Sequence, residues 1–235
     1  MRNKEKYLVV GGNSGIGRAI VDVLAKDNEM VVCDKNISKE ISEKYCCYQI
    51  DLRNQNEVLR FAKDIVCRQA ITNMIYSAGY QENTDILELD IDSWNSMFQV
   101  NVSSAFVLAQ AVSKNVLKKR KGALVFISSI HGDIIREIPH YSSSKAAQNM
   151  MMKEFAYKLA PFGGRAFSIA PGSIDTPLLH KDLNTEEMFI AGEKNIPLLR
   201  HGKAVEIAEA VNKLLQVEYL TGTVVVIDGG LSLVI

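Results

Sequence analysis

The chain has 235 residues, 47% hydrophobic and 23% charged, enough apolar material for one sizeable core in a soluble protein. Lysine plus arginine and aspartate plus glutamate balance at 27 each, so no net field recruits nucleic acid or an anionic membrane. No apolar run reaches the length of a membrane span, and the N-terminal "MRNKEKYLVV" is too short a run for a signal peptide. The four cysteines, Cys33, Cys46, Cys47 and Cys67, match no zinc spacing, so the expectation is a cytoplasmic protein with reduced thiols and no metal.

Short β-branched runs alternate with helical patterns along the whole chain. "KYLVV" precedes "GIGRAIVDVLAKD", and "MVVCD" leads through a polar segment to "CCYQID". "EVLRFAKDIVCRQ" precedes "TNMIYSAG", and a long helix from about Trp94 to Lys119 leads into "ALVFISS". Its basic end, "KNVLKKRKG", places cations where the helix dipole favours them. A helix carrying Tyr141 runs to about Leu159 and leads into "RAFSIAPG", and "VEIAEAVNKLLQ" precedes "GTVVVID". The pattern predicts an α/β fold: a Rossmann-like, doubly wound, seven-stranded parallel sheet with helices on both faces. No linker, repeat or low-complexity tract interrupts it, so residues 1–235 read as one domain. The stretch 171–203 has weak regular pattern, and its polar middle, "HKDLNTEEMF", reads as a mobile lid that closes over substrate. Cys33 and Cys67 read as core, the four histidines as solvated loop residues, Ser142–Ser144 as small helix residues, and Met150–Met152 as core or interface packing.

The first strand ends in "VVGGNSGIGRAI". Gly11 suits a tight turn, Gly15 lets a phosphate approach the backbone, and Gly17 lets the following helix pack on the sheet. The helix start then offers free N–H groups to a pyrophosphate. Asp34 ends the second strand, seventeen residues after Gly17, where a carboxylate can accept both ribose hydroxyls of an adenosine. Lys35 and Arg18 stand nearby and would favour a phosphate instead. Tyr141 and Lys145 are four apart, on one face of a helix. Arg136, five residues before Tyr141, reads first as a surface arginine, or else reaches the same site and pairs a substrate carboxylate.

The spacing of glycine, three residues, glycine, one residue, glycine resembles that of the short-chain dehydrogenase/reductase family in its single-domain form. The resemblance extends through "IDL" (Asp51, Leu52), "SAG" (Ser77, Ala78, Gly79), "VNVSSAF" (Asn101), "FISSIHG" (Ser129), "YSSSK" (Tyr141, Lys145), "PGSIDT" (Pro171, Gly172, Ile174, Thr176) and "YLTGTVVVIDGG". It implies hydride transfer between a nicotinamide cofactor and a carbon bearing oxygen on a small-molecule substrate. Catalytic roles then fall on Asn101, Ser129, Tyr141 and Lys145, with Ser128 the competing hydroxyl. Cofactor contacts fall on Gly11, Asn13, Ser14, Gly15, Ile16, Gly17, Asp34, Asp51, Leu52, Ser77, Ala78, Gly79, Tyr141, Lys145, Pro171, Gly172, Ile174 and Thr176.

A tyrosine that titrates near 10 is a poor base at neutral pH; an ammonium about 4 Å away favours its phenolate by roughly 4 kcal/mol at an effective dielectric near 20. Tyr141 is thus the acid/base and Lys145 tunes it; the resemblance further implies that Lys145 holds the nicotinamide ribose, Ser129 binds the substrate oxygen and Asn101 holds a water in the relay. Asp34 points to NAD over NADP. The expected activity is alcohol dehydrogenase or carbonyl reductase. The alternatives are an NADPH-dependent 3-oxoacyl-carrier-protein reductase, a 2,3-dihydro-2,3-dihydroxybenzoate-type dihydrodiol dehydrogenase, similar in "IREIPHY", and a catalytically silent dinucleotide sensor. The family pairs the Trp94–Lys119 and Tyr141 helices across a two-fold axis, which implies a homotetramer or homodimer. The chain departs from the family at Val10 (Thr), Tyr76-Ser77 (Asn-Asn) and Phe167 (Asn); apolar packing of Val10 is expected to replace a polar clip.

Overall fold

Strand β1 (Lys6–Val10) directs Tyr7 and Val9 to one face of a sheet and Leu8 and Val10 to the other, as the two-residue period of a strand requires. All four are buried, so helices must cover both faces. In the computed structural model, which describes residues 4–182 and 185–235, they do. Helix α1 (Gly15–Leu24) lies on the Val9 face. Strands β2 (Glu29–Asp34) and β3 (Cys46–Gln49) flank the short helix α2 (Lys39–Lys44). Helix α3 (Gln55–Phe61) precedes β4 (Asn73–Tyr76). Helices α4 (Ile91–Phe98) and α5 (Ser104–Lys119) are joined by a π-helical turn at Gln99–Ser103 and lead to β5 (Gly122–Ile127). Helix α6 (Pro139–Leu159) precedes β6 (Gly164–Pro171). After it come β7 (Ile174–Asp175), α7 (Pro177–Asp182), α8 (Glu186–Glu193), β8 (Gly202–Lys203), α9 (Ala204–Leu215) and β9 (Val224–Ile227).

Seven strands form one parallel sheet in the order β3-β2-β1-β4-β5-β6-β9, and β7 pairs with β8 in a separate two-residue ladder. Ile20, Val21 and Leu24 of α1 meet Ile207, Ala208 and Val211 of α9 on the Val9 face. On the Val10 face, Val58 and Phe61 of α3 pack with Leu108 and Val112 of α5 and Met152 and Leu159 of α6. Fully burying one such side chain contributes about 1.5–3 kcal/mol. Phe167, where the resemblance would place an asparagine, is fully buried on the α1/α9 face. The chain winds outward from β1 in one direction and from β4 in the other. A crevice therefore opens at the carboxyl ends of β1 and β4, where ligands bind in sheets of this topology.

Several local expectations are corrected. The long helix begins at Ile91, capped by the Asp90 carboxylate accepting from Ser93 N. The 171–203 stretch is more regular than its sequence pattern indicates, with α7, α8 and the β7–β8 ladder; Leu183 and Asn184 of the expected lid lie outside the described residues. Cys33 is buried but Cys67 is exposed. His140 and His201 are buried and His131 is half-buried, so the histidines are not solvated as a group. Of the three methionines, Met152 is in the core and Met150 is exposed. Among the described residues no helix is long and apolar enough to cross a membrane.

Candidate active site

The turn after β1 is shaped by its close contacts. Gly11 has φ 80, and a Cβ there would stand 2.6 Å from the Ala78 backbone nitrogen. At Gly17 a Cβ would fall 1.9 Å from the Gly11 carbonyl oxygen, so only glycine lets α1 begin this close to the sheet. The Val10 carbonyl accepts from the amides of both Ser77 and Ala78, at 2.9 Å each, and ties the ends of β1 and β4 together through the backbone. The Val10 side chain is buried among apolar neighbours. Ser14 caps α1 without a side-chain cap bond, and Ser14, Gly15 and Ile16 line the crevice. The free first-turn N–H groups of α1 thus stand at its wall, a setting suited to a phosphate.

That crevice is a cleft of about 1050 Å³ running from Asp34 and Asp51 at one end to Ser129, Tyr141 and Lys145 at the other. Asp34 accepts from Asn13 N at 3.0 Å and from Asn36 N at 3.3 Å, which fixes its carboxylate at the cleft wall. Lys35 is paired with Asp51 at 3.0 Å, and Arg18 is paired with Asp22 and Glu40 at 2.9 and 2.6 Å. The Arg53 backbone amide and then Lys35 hold the Asp51 carboxyl below its ordinary range against the opposing effect of burial.

At the Tyr141 end of the cleft Lys145 is 2% exposed. Its ammonium donates to the Ile127 carbonyl at 3.0 Å and lies 5.7 Å from the centroid of the Tyr141 ring. Burial pushes the Lys145 pKa down to about 8, so the ammonium is still the dominant form at neutral pH. Ser129 and Ser128 both line the cleft; Ser129 Oγ accepts from His131 N at 3.2 Å, and Ser128 Oγ has no partner among the described residues. Burial, and then the charge of Arg136, push His131 down to about 4.

Asn13, Gly17 and Asn101 stand behind the cleft wall rather than on it. Asn13 supports Asp34 through its amide and receives the Ser38 amide on Oδ1 at 2.8 Å. Asn101 is fully buried in the π turn. Its side chain accepts from Tyr80 N at 2.9 Å and donates to Tyr80 O at 3.0 Å and to Ser144 Oγ at 2.9 Å. Its own carbonyl accepts from Gln148 Nε2 at 2.8 Å. Ser144 is therefore more than a small helix residue: it links Asn101 to the Tyr141 carbonyl, to which it donates at 2.7 Å. The other expected residues, from Gly11 through Ser77–Gly79 to Pro171, Gly172, Ile174 and Thr176, all line the cleft.

Sequence reasoning missed Gln148, Ser144 and the role of Tyr76. The Tyr76 phenol is fully buried and donates to the Val100 carbonyl in the π turn at 2.5 Å. The departure from Asn-Asn at this position, noted in the sequence, was the available signal. A guanidinium–aromatic contact was also missed, with Arg53 4.5 Å from the centre of the Tyr80 ring.

A glycine-lined turn, an acid at the β2 end and a buried Tyr–Lys pair in one cleft would fit a nicotinamide dinucleotide. At Gly79, the nearest atom to an added Cβ is Lys145 Nζ at 3.8 Å, so the floor of the cleft is open to a ligand. A fold and site of this kind define a nicotinamide-dependent oxidoreductase. The family model described as "Enoyl-(Acyl carrier protein) reductase" matches residues 10–232. The chain belongs to the short-chain dehydrogenase/reductase family, whose members are oxidoreductases that act on CH–OH groups with NAD(P). It is 30% identical to the 3-oxoacyl-[acyl-carrier-protein] reductase FabG of Thermotoga maritima over 241 residues, covering 95% of this chain and 96% of that one. It superposes with TM-score 0.87 and 28% identity on a short chain dehydrogenase family protein from Francisella tularensis, covering 98% and 99% of the two chains. A TM-score of 0.87 and 25% identity relate it to ElxO solved with NADP bound, over 97% of this chain and 99% of that one.

Proposed function

We propose that the protein is an NAD(H)-dependent enzyme that interconverts a secondary alcohol and a ketone on a small-molecule substrate. The observation that carries the reading is the buried Lys145 ammonium beside the Tyr141 ring, in the same cleft that Asp34 bounds at its other end. When bound, the nicotinamide takes up or gives back a hydride at the substrate carbon. Tyr141 takes the hydroxyl proton during oxidation and returns it during reduction. The Lys145 ammonium, held by the Ile127 carbonyl, favours the phenolate. Ser129 donates to the substrate oxygen, and Asn101 fixes the α4–α5 junction behind Tyr80 and Ser144.

Preference for NAD follows from Asp34. A 2′-phosphate about 4 Å from its carboxylate would be opposed by about 4 kcal/mol at an effective dielectric near 20, more than enough for a tenfold preference. Lys35 and Arg18, the cations that could offset this, are engaged by Asp51 and by Asp22 and Glu40. The likeness to a protein solved with NADP makes the test a necessary one. It is a panel of secondary alcohols and ketones with each cofactor, followed by nicotinamide absorbance, in wild type, Tyr141→Phe and Asp34→Ala. Tyr141→Phe should bind cofactor but lose turnover by orders of magnitude. Asp34→Ala should bring the specificity constants for NAD and NADP together; an unchanged ratio removes Asp34 as the discriminating residue.

A second reading, an acyl-carrier-protein-linked 3-oxoacyl reductase, is favoured by the identity to FabG. Acetoacetyl thioester in the same panel separates the two. A homodimer or homotetramer is supported by the exposed Phe106 on α5 and Met150 and Tyr157 on α6, with the Phe106 and Phe155 rings 6.0 Å apart. Light scattering during size exclusion tests it. The four unpaired cysteines suit a reducing cytoplasm.

A further inference from the structure

We propose that Ser104 and Gln99 are positioning residues for the adenosine half of the cofactor: they fix the Leu52–Arg53 peptide, and that peptide aims the Asp51 carboxylate in the cleft. The proposal rests on the dinucleotide reading above.

Asp51, Leu52 and Arg53 follow β3 and line the end of the cleft that Asp34 bounds. They belong to no strand or helix, so the sheet ladder does not hold them. Local bonds hold part of the segment. Asp51 N donates to Glu57 Oε2 at 3.1 Å, Asn54 N donates to the Asp51 carbonyl at 2.9 Å, and Arg53 N donates to Asp51 Oδ1 at 3.0 Å. The Leu52 carbonyl turns away from this local set. It accepts from Ser104 Oγ, at the start of α5, at 2.7 Å and from Gln99 Nε2, in the π turn, at 3.3 Å.

The Leu52 C=O and the Arg53 N–H belong to one planar peptide and point in opposite directions across it. Whatever fixes the carbonyl therefore fixes the amide, and that amide is the donor on Asp51. It is also the main reason the Asp51 carboxyl stays below its ordinary range.

Ser104 is fully buried. Its Oγ accepts from Gln99 Nε2 at 3.1 Å while donating to Leu52, so two side chains and one carbonyl form a closed set. Packing of α5 does not call for this hydroxyl, because Ala105, Leu108, Val112 and Val116 supply the buried apolar face of the helix. A second contact braces the same segment. The Arg53 guanidinium lies 4.5 Å from the centre of the Tyr80 ring, and the Tyr80 backbone is held at both its polar groups by Asn101 of the π turn.

An adenine presents an exocyclic amino group that a carboxylate can accept. Asp51 Oδ1 receives the Arg53 amide and Oδ2 pairs with Lys35 at 3.0 Å, and each oxygen keeps a second lone pair for a ligand. Holding the carboxylate in advance spares the ligand the cost of ordering it.

The test isolates the adenosine half. ADP-ribose, which lacks the nicotinamide, is titrated calorimetrically into wild type, Ser104→Ala, Gln99→Ala and Ser113→Ala. Ser113 is the control: it too lies on α5, but its buried hydroxyl has no partner among the described residues. Ser104→Ala is expected to weaken ADP-ribose about three- to tenfold and Gln99→Ala by less, with Ser113→Ala unchanged. With the best substrate of the panel above, KM for NAD should rise by a similar factor while kcat stays near wild type. Carboxyl carbon NMR, with the Asp51 signal assigned by Asp51→Asn, should show Asp51 protonating at higher pH in Ser104→Ala than in wild type. Unchanged ADP-ribose affinity in a folded Ser104→Ala variant, or a fall in kcat with KM unmoved, overturns the proposal. Weaker binding without a shift of Asp51 removes the peptide as the route and overturns it too. If Ser104→Ala does not fold, the same readings on Gln99→Ala, at a half-buried residue, decide. If wild type binds no ADP-ribose, the dinucleotide reading fails instead, and the Asp51 titration alone decides whether Ser104 aims that carboxylate. A shift then keeps that role, and an unchanged titration removes it.

Discussion

Replacing Tyr76 by phenylalanine isolates one buried hydroxyl. The ring is fully buried at the carboxyl end of β4, and phenylalanine preserves almost all of that apolar contact. What is removed is the bond to the Val100 carbonyl at 2.5 Å. Burial, with a smaller contribution from Cys33, raises the Tyr76 pKa far above its ordinary value, so the phenol is a donor at every working pH. Losing such a bond and leaving its acceptor in an apolar interior costs about 1–3 kcal/mol, which in a domain of this length lowers Tm by about 2–12 °C. Thermal unfolding followed by circular dichroism, with urea midpoints as a second measure, reads this directly. Val100 precedes Asn101, so turnover should fall as well, while the Michaelis constant for the cofactor stays near wild type. A Tm equal to or above that of wild type would mean that the phenol does not hold the π turn, and the reasoning from Tyr76 to Asn101 would collapse.

Val10→Thr should lower Tm, because the site is apolar and the Val10 carbonyl already receives both amides of the facing strand end; a rise of several degrees would show that a polar clip is still wanted there. Gly17→Ala should abolish soluble expression or cofactor binding, since its Cβ would meet the Gly11 carbonyl oxygen at 1.9 Å; wild-type cofactor affinity in that variant would contradict the packing described. His131 and His140 are both held neutral by burial, with folded-state pKa values below the unfolded value near 6.5. The folded state therefore binds fewer protons than the unfolded chain below that pH, and stability should decline as pH falls from 6.5 towards 4. Urea midpoints at pH 7, 6 and 5 test this, and His131→Asn should flatten the decline; midpoints independent of pH over that range would refute it.

What could be read from the sequence was whatever depends on near neighbours. The glycine turn, Asp34 at a strand end and the Tyr141–Lys145 spacing are local, and the cleft does bring them together. The bonds that hold this arrangement are not local. Tyr76 reaches Val100 across 24 positions, Asn101 reaches Ser144 across 43, and Arg136 reaches Gln81 across 55. No periodicity encodes such pairs. Cys67 was misassigned for a different reason. Residue type alone suggested the core, whereas α-helical spacing points the other way: Cys67 is nine positions, two and a half turns, after the buried Val58, and it faces solvent. His140 was misassigned because Pro139, which suggests a loop, instead occupies the first turn of α6 and carries the histidine inward.

The π turn between α4 and α5 also bears on how this chain can change over generations. It is in effect one residue more than an α-helix needs. Losing that residue would restore regular hydrogen bonding, a change that looks harmless when the helix is considered alone. Yet each residue turns a helix by about 100°, so a one-residue deletion within Gln99–Ser103 would swing α4 around its axis relative to α5. Met97, now fully buried against Ile138 and Tyr141, would leave its seat, and the Asn101 clamp on Tyr80 would come apart in the same event. Substitutions can be sampled here one at a time, but length cannot, and the segment should admit no insertion or deletion even where its less buried side chains vary.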